Sequence, residues 1–378
     1  MALQTWDVKV EYNAKGMPFR RLGPSGLRVP LFSLGGWLTL GGSVRGDEIL
    51  KTAFENGINM FDTAEGYAAG RSEEEMGRVI KELGLRRSDI IVTTKLFWSP
   101  HERQNGTGLS RKHIVEGTRE SLQRLGLDYV DVIFAHRPDN TVPIEETVRA
   151  FNFVIDQGWA FYWATSMWSA QEIEEAHHVA SKLGLSGPIA EQCRHQYVPH
   201  LAARLHMSFN VMQTCSMLSR DRPEGEYAPL YRKYGLGTTV YSALAGGLLT
   251  GKYTNGIPSD SRLAVEQEQQ VKDLAAFLST PDGVEMLAKI KTLTDFAENE
   301  LGCKASHLAL AWVAKNPNTS TIILGASKPE QIVDNLKALE VIPKLTPEIM
   351  DRIESILANK PAPVPTFGRP ALDAYGRS

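Results

Sequence analysis

Ile90-Ile91-Val92-Thr93-Thr94-Lys95, a helical stretch from Ser110 to Leu125 closed by Gly126, and Val130-Asp131-Val132-Ile133-Phe134-Ala135 form one strand–helix–strand unit. The two short runs are rich in β-branched and aromatic residues and show almost no polar alternation, as expected of parallel strands buried on both faces. Gly126 stands where a helix C-terminus favours glycine. The unit repeats in both directions. Upstream lie the runs Leu31–Leu34 and Asn59–Asp62; downstream lie Phe161–Ser166, Pro188–Gln192, Gly237–Ser242 and Thr321–Gly325. Amphipathic stretches alternate with them at Asp47–Asn56, Glu73–Leu83, Ile144–Gln157, Ala170–Leu183 and Ser306–Lys315, several followed by glycine (Gly57, Gly84, Gly158, Gly184). Eight such strands predict an α/β fold, a closed (β/α)8 TIM barrel. The competing open doubly wound sheet usually carries a Gly-rich phosphate turn after its first strand, and Gly35-Gly36-Trp37 does not fit that pattern.

Three segments leave the alternation. Phe19 to Pro30, with Gly23-Pro24-Ser25-Gly26 between short extended runs, predicts an N-terminal hairpin. Leu244 to about Pro281 reads as a long loop after strand seven with some helix near its end, the kind of segment that forms a lid or binding loop. Lys360-Pro361-Ala362-Pro363-Val364-Pro365 begins a Pro-rich tail. The expected division is an extension over 1–18, a barrel over 19–345, and a C-terminal helix and tail over 346–378.

The chain has 378 residues, 42% of them hydrophobic and 22% charged, which excludes collagen-like, coiled-coil and wholly disordered proteins. Lys+Arg 41 against Asp+Glu 44 leaves a net charge of −3, with no basic field for nucleic acid or an anionic membrane surface. There is no apolar run of membrane-spanning length and no secretory leader pattern, and Cys193, Cys215 and Cys303 lack CxxC spacing. The expectation is a soluble, cytoplasmic protein in a reducing compartment.

In a barrel of this kind chemistry sits where strands end. Asp62 ends strand two, Tyr67 follows in its loop, Lys95 ends strand three and His136 follows strand four. Taken singly, an Asp there is often a helix cap, a Tyr packing and a Lys solvated surface. Together they suit carbonyl reduction, in which a proton must reach the developing alkoxide as hydride arrives. A phenol, with its ordinary pKa of about 10, can supply that proton if a cation favours the phenolate. Lys95 is such a cation, Asp62 would hold it charged and aimed, and His136 would orient the carbonyl.

Phe61-Asp62-Thr63-Ala64-Glu65-Gly66-Tyr67 with Gly70-Arg71-Ser72-Glu73-Glu74 resembles the signature of the aldo-keto reductases, and closely that of the branch containing potassium-channel beta subunits and their fungal relatives. The resemblance continues through Val92–Lys95, Phe134–Asp139, Trp163–Ser169, Gly246–Tyr253 and Leu324–Ser327, and covers about residues 19 to 360. It implies a barrel that binds NADPH/NADP+ across its mouth without a separate nucleotide domain. Tyr67 becomes the general acid, tuned by Lys95 and Asp62, with His136 orienting the carbonyl. Channel beta subunits tend to carry Asn where this chain has His136, which favours an active reductase over a regulator. Implied cofactor contacts are Gly36 and Trp37 after strand one, Asp62, and Ser166 and Gln192 at the nicotinamide carboxamide. Tyr241 would lie under the nicotinamide ring, and Ser242, Leu244 and Gly246 would run toward the pyrophosphate. Lys252 and Arg262 would serve the 2′-phosphate, a dianion that Lys and Arg pair with well, which favours NADPH over NADH. Ser327, Gln331, Asp334 and Asn335 would meet the adenosine end. Ala243 replaces a Pro often found there and leaves that loop less rigid. The implied substrate is a small carbonyl compound, such as a ketoacid, an aryl aldehyde or an intermediate of a specialised metabolite; the alternative is an NADPH-binding, redox-sensing subunit of a potassium channel. No metal is implied, no nucleic acid and no direct membrane insertion, and a homo-oligomer is compatible.

The pattern breaks once. Relatives pass from strand six to the following basic loop in a few residues, whereas about 20 more intervene here, at 196–215. His195, His200 and His206, with Cys193 and Cys215, lie in or beside the stretch, but their spacing matches no standard metal site. Either the segment is a lid, or it is an artefact of the gene model such as a translated intron, a reading favoured by the clean resumption of the pattern on both sides. Finding Val198 to Arg204 by peptide mass spectrometry of the native protein would refute the artefact. Trp37, Phe97, Trp98 and Trp168 are either pocket lining or packing, and the His177-His178 pair is read as solvated helix surface.

Overall fold

Strands that bury both faces need cover on both sides, and a closed parallel barrel provides it. The computed structural model describes residues 6–42, 46–101, 103–195, 220–265 and 269–362, with the side chains of Arg262, Gln269 and Gln270 outside that set. The barrel strands are β3 (Phe32–Gly35), β4 (Met60–Asp62), β5 (Ile91–Leu96), β6 (Val130–Ala135), β7 (Ala160–Ser166), β8 (Ala190–Arg194), β9 (Gly237–Tyr241) and β10 (Thr319–Leu324), with β10 pairing on β3 to close the circle. These barrel strands pair parallel, for example with Asp62 beside Thr93 and Ser166 beside Gln192. β5, β6 and β10 are buried at every position, which is why they read as continuous apolar runs.

β1 (Phe19–Arg21) and β2 (Arg28–Pro30) pair antiparallel as the expected hairpin. Their Leu22 and Val29 neighbours pack with Met60, Ile91 and Val132, residues at or near the starts of barrel strands, so the hairpin fills the N-terminal end. Burying each such side chain contributes roughly 1.5–3 kcal/mol. The opposite end, where the strands finish, is left for polar side chains.

Between strands run α1 (Gly46–Glu55), α2 (Arg71–Leu83), α3 (Arg111–Leu125), α4 (Ile144–Asp156) and α5 (Ala170–Leu183). Ser110 caps α3 by accepting from the His113 N–H. Ser169 and Glu172 form a reciprocal capping box at the start of α5. The glycines expected after these helices all take left-handed φ, from +61° at Gly126 to +88° at Gly57. His177 departs from the solvated reading. Its ring stacks on Tyr234 at 3.9 Å, and burial lowers its pKa to about 4, while His178 stays exposed.

As far as they are described, Met1–Cys193, Pro229–Tyr241 and Asn318–Asp334 form one compact unit, and Arg194–Ala228, Ser242–Pro317 and Asn335–Ser378 a second. In the second, the helix Ala305–Lys315 is buried from Ala305 through Ala314, apolar on nearly every side, and packs on Pro281–Asn299 and Ala338–Val341. Arg220 binds Glu224 (2.7 Å), Glu354 (2.8 Å) and Asn359 (2.8 Å), and His195 reaches Glu224 at 3.0 Å. The segment after β9 is more structured than the expected loop: a 3-10 stretch Ala245–Thr250 and helices Arg262–Val265 and Gln269–Phe277 occupy it. Its Leu248 and Leu249 are buried, and burial of apolar side chains orders a glycine-rich segment that local propensity alone leaves irregular. The stretch 196–215, with His200, His206 and Cys215, and the tail from Pro363 onward lie outside the described residues. Among the described residues no helix is long and apolar enough to cross a membrane.

Candidate active site

Asp62 is the last residue of β4, Lys95 the penultimate residue of β5, and Ser166 the last of β7; His136 directly follows β6. The barrel register thus brings to one end side chains far apart in sequence. Tyr67 opens a tight turn, Tyr67–Gly70, whose Ala68 and Ala69 take φ of 50° and 55°, a left-handed pair that non-glycine residues adopt only when their surroundings hold them there.

Lys95 has no exposed side-chain surface, so its ammonium requires partners. It donates to Asp62 Oδ2 at 2.5 Å and to the Thr63 carbonyl at 2.7 Å, and it hydrogen-bonds the Tyr67 hydroxyl, with Nζ 4.8 Å from that ring's centroid. Asp62 also accepts from Thr93 Oγ1 at 2.7 Å and Gln192 Nε2 at 3.2 Å. Burial disfavours the Lys95 charge, but the Asp62 carboxylate and the Tyr67 hydroxyl outweigh it and raise its pKa.

At Tyr67 the Lys95 ammonium favours the phenolate as expected, but burial opposes it more strongly. Burial pushes its pKa above the ordinary value; Lys95 and Arg137 pull downward and Asp62 upward. An ammonium already paired with a carboxylate does not fully offset the loss of water around a phenolate. Tyr67 therefore stands protonated in the free protein, with Lys95 in place to receive negative charge on its oxygen. His136 is buried and packs edge-on against Tyr67 and Trp98, ring centroids 5.7 and 5.0 Å away. Burial first, then Arg137 and Lys95, hold its pKa well below the ordinary imidazole range, so the ring is neutral at neutral pH.

The other expected residues fall as follows. Gly36 donates its N–H to the Asp62 carbonyl at 2.7 Å, and a Cβ there would come within 2.7 Å of Ser72 Oγ. Trp37 and Trp98 are each 42% exposed, whereas Trp168 is buried as packing and Phe97 is half-buried. Tyr241 ends β9, and Gln331 Oε1 accepts from the Ser327 N–H at 2.8 Å. Asp334 lies in the helix Pro329–Leu336, and Asn335 is buried. In the second unit Ser242 takes a φ of 56° and Gly246 one of 66°, and Lys252 Nζ lies 4.8 Å from the Tyr253 ring centroid. Thus Asp62, Tyr67, Lys95, His136 and Gln192 are joined by direct contacts, with Ser166 reached through Arg137 at 3.5 Å.

Sequence reading missed Thr93, Glu65 and Arg137. Glu65 is fully buried and accepts from the Phe97 N–H at 2.7 Å while meeting His113 Nε2 at 2.9 Å, tying the Tyr67 loop to the Trp98 loop. The signal for Arg137 was its place directly after His136 at a strand end.

A closed parallel barrel whose strand ends carry a buried Asp–Lys pair against a tyrosine and a neutral histidine is the arrangement of a carbonyl reductase, and this chain belongs to the aldo/keto reductase family, a family of NADP-dependent oxidoreductases. The family's sequence pattern matches residues 36–358. Among curated proteins, the chain is 51% identical over 351 residues, 92% of this chain and 95% of the other, to a Schizosaccharomyces pombe protein whose name assigns it to the voltage-gated potassium channel beta subunits. It is 49% identical to a "Probable voltage-gated potassium channel subunit beta" of Oryza sativa and 48% to one of Arabidopsis thaliana, each over 349 residues, 91% of this chain and 98% of theirs.

The residues present fit a nicotinamide dinucleotide. Ser166 and Gln192, on neighbouring strands, offer the hydroxyl and amide that a carboxamide pairs with.

Proposed function

We propose that this chain reduces an aldehyde or ketone to the alcohol with NADPH, Tyr67 acting as the general acid. The observation that carries the reading is the fully buried Lys95, held by Asp62 and hydrogen-bonded to the Tyr67 hydroxyl. NADPH, when bound, supplies the hydride. Ser166 and Gln192 hold its carboxamide end, Tyr241 supports the ring, and Gly36, Trp37, Ser242, Leu244 and Gly246 line its path. Lys252 and Arg262 select the 2′-phosphate, and Ser327, Gln331, Asp334 and Asn335 hold the adenosine.

Tyr67 gives its proton to the carbonyl oxygen as negative charge develops there. Lys95, already bonded to the phenol oxygen, stabilises the phenolate left behind, and Asp62 keeps the ammonium aimed. Neutral His136 orients the carbonyl without competing for the proton. Thr93 and Gln192 fix the Asp62 carboxylate. A screen of aldehydes and ketoacids by NADPH absorbance tests this: turnover that disappears in Tyr67→Phe is the expected outcome, and no turnover with any carbonyl overturns it.

The names of the relatives favour a second reading, an NADPH-binding regulatory subunit of a potassium channel. Tight NADPH binding without turnover, together with co-purification of a channel, would favour it. The three cysteines, none of them in CxxC spacing, favour a reducing, cytoplasmic compartment.

A further inference from the structure

Arg137 follows His136 and stands among the reacting groups without a carboxylate of its own. Its Nη1 donates to the His136 carbonyl at 2.5 Å and to Ser166 Oγ at 3.5 Å, which anchors one edge of the guanidinium. The guanidinium carbon lies 5.3 Å from the centroid of Trp98, the ring that also packs on His136 at 5.0 Å. Among the described residues no Asp or Glu pairs with it, although the side chain is half-buried beside His136 and Trp98. Among the described residues Nε and Nη2 thus remain as parallel donors without an acceptor. A half-buried guanidinium with two open donors matches a carboxylate in shape and charge. The charge is felt at the reaction centre, since Arg137 favours the Tyr67 phenolate and disfavours protonation of His136.

We infer that Arg137 selects the substrate: its guanidinium receives a carboxylate carried near the reacting carbonyl, so that 2-oxo acids and carboxylate-bearing aryl aldehydes are preferred to neutral carbonyl compounds. The inference rests on the reductase reading and names the substrate class of that site. Trp98, 42% exposed, offers a flat apolar face for the ring of an aryl aldehyde or the side chain of a 2-oxo acid. The carboxylate is not consumed; it fixes the carbonyl's approach to Tyr67, and the proton and hydride reach the carbonyl alone.

The test compares matched pairs, 4-carboxybenzaldehyde with 4-nitrobenzaldehyde and pyruvate with its methyl ester, in the wild type, Arg137→Gln and Arg137→Lys. The expected result is a loss in kcat/KM of roughly 10- to 100-fold for the carboxylates in Arg137→Gln, the size of a charge-assisted hydrogen bond, with a smaller change for the neutral partners. Arg137→Lys should restore part of the preference, and raising the salt concentration should erode it. Equal loss on both members of each pair, or weakened NADPH binding in Arg137→Gln, overturns the inference, the latter by assigning the guanidinium to the cofactor. A second arm needs no turnover: calorimetric titration of benzoate into the NADP+ complex should show binding that Arg137→Gln weakens. Absence of turnover with binding retained would sink the reductase reading and leave the carboxylate site standing; binding unchanged in Arg137→Gln would sink the site.

Discussion

Tyr67 and His136 are both buried, and burial drives their titrations in opposite directions. The phenol rises above its ordinary range, and the imidazole falls below its own. Each stays in one protonation state across the neutral region, the phenol protonated and the imidazole neutral. Reductase kcat/KM should therefore be flat from about pH 6.5 to 9, and should fall on the alkaline side only as the phenol loses its proton beyond its ordinary value of about 10. A pH–rate profile at saturating NADPH checks this, and a transition near pH 7 would contradict it. Tyr67→Phe should lower kcat by on the order of 10²- to 10⁴-fold, the usual contribution of a positioned general acid, while NADPH fluorescence titration shows the cofactor still bound. Lys95→Met leaves the Asp62 carboxylate buried without its cation, and breaking such a pair costs roughly 3–5 kcal/mol. Its melting temperature should fall together with its turnover, which separates it from the phenol variant. The residue types of this centre were legible in the sequence because each stands at a strand end or in the loop that follows one. The net direction of the Tyr67 shift was not, because it depends on how completely the fold removes water, and spacing carries no information on that.

Helices and their junctions show the same division. Continuous apolar runs located the strands, and terminal glycines the helix ends, since both are local consequences of backbone geometry. The close approach of α2 to α3 is a property of two elements together and has no local signature. Gly77 sits inside α2, where a Cβ would come within 1.9 Å of the Leu125 carbonyl oxygen. In helix propensity alone Gly→Ala would gain up to about 1 kcal/mol. Here the contact is with backbone that cannot swing aside, so Gly77→Ala should destabilise by roughly 1–3 kcal/mol, the cost of overpacking, read as a lower denaturation midpoint in urea. The stack of His177 in α5 on Tyr234 was likewise hidden, because the partner lies 57 positions away. Its pKa of about 4 in the folded chain lies below the ordinary 6.5 of an unfolded one. Between those values the unfolded chain binds a proton that the folded chain does not, so the contribution is present above pH 6.5 and is lost as pH falls toward 4. The wild type should lose stability across that window more steeply than His177→Phe, which keeps the stacked ring without the titration.

At the scale of the whole chain, the cofactor reading has a thermodynamic consequence that turnover does not enter. A ligand that binds only the folded state stabilises it by RT ln(1 + [L]/Kd), about 2.7 kcal/mol at a hundred times Kd. NADPH and NADH differ only in the 2′-phosphate, so any difference between their stabilising effects isolates the groups that read it. Lys252 carries a charge with no carboxylate partner among the described residues, and Arg262 is the second cation of the same segment. An ammonium without an internal partner loses little on meeting a phosphate dianion. At equal concentration NADPH should therefore raise the melting temperature more than NADH, and the difference should shrink in Lys252→Ala and again in the double variant with Arg262→Ala, while the NADH shift stays nearly constant. The segment carrying both cations followed from a family resemblance, whereas its helices and buried leucines came from the folded chain, because glycine-rich sequence permits many conformations and tertiary packing selects one. Equal shifts for the two dinucleotides in the wild type would remove Lys252 and Arg262 from the cofactor site and, with them, the preference for NADPH. Unequal shifts untouched by either substitution would keep the preference and assign it to other residues.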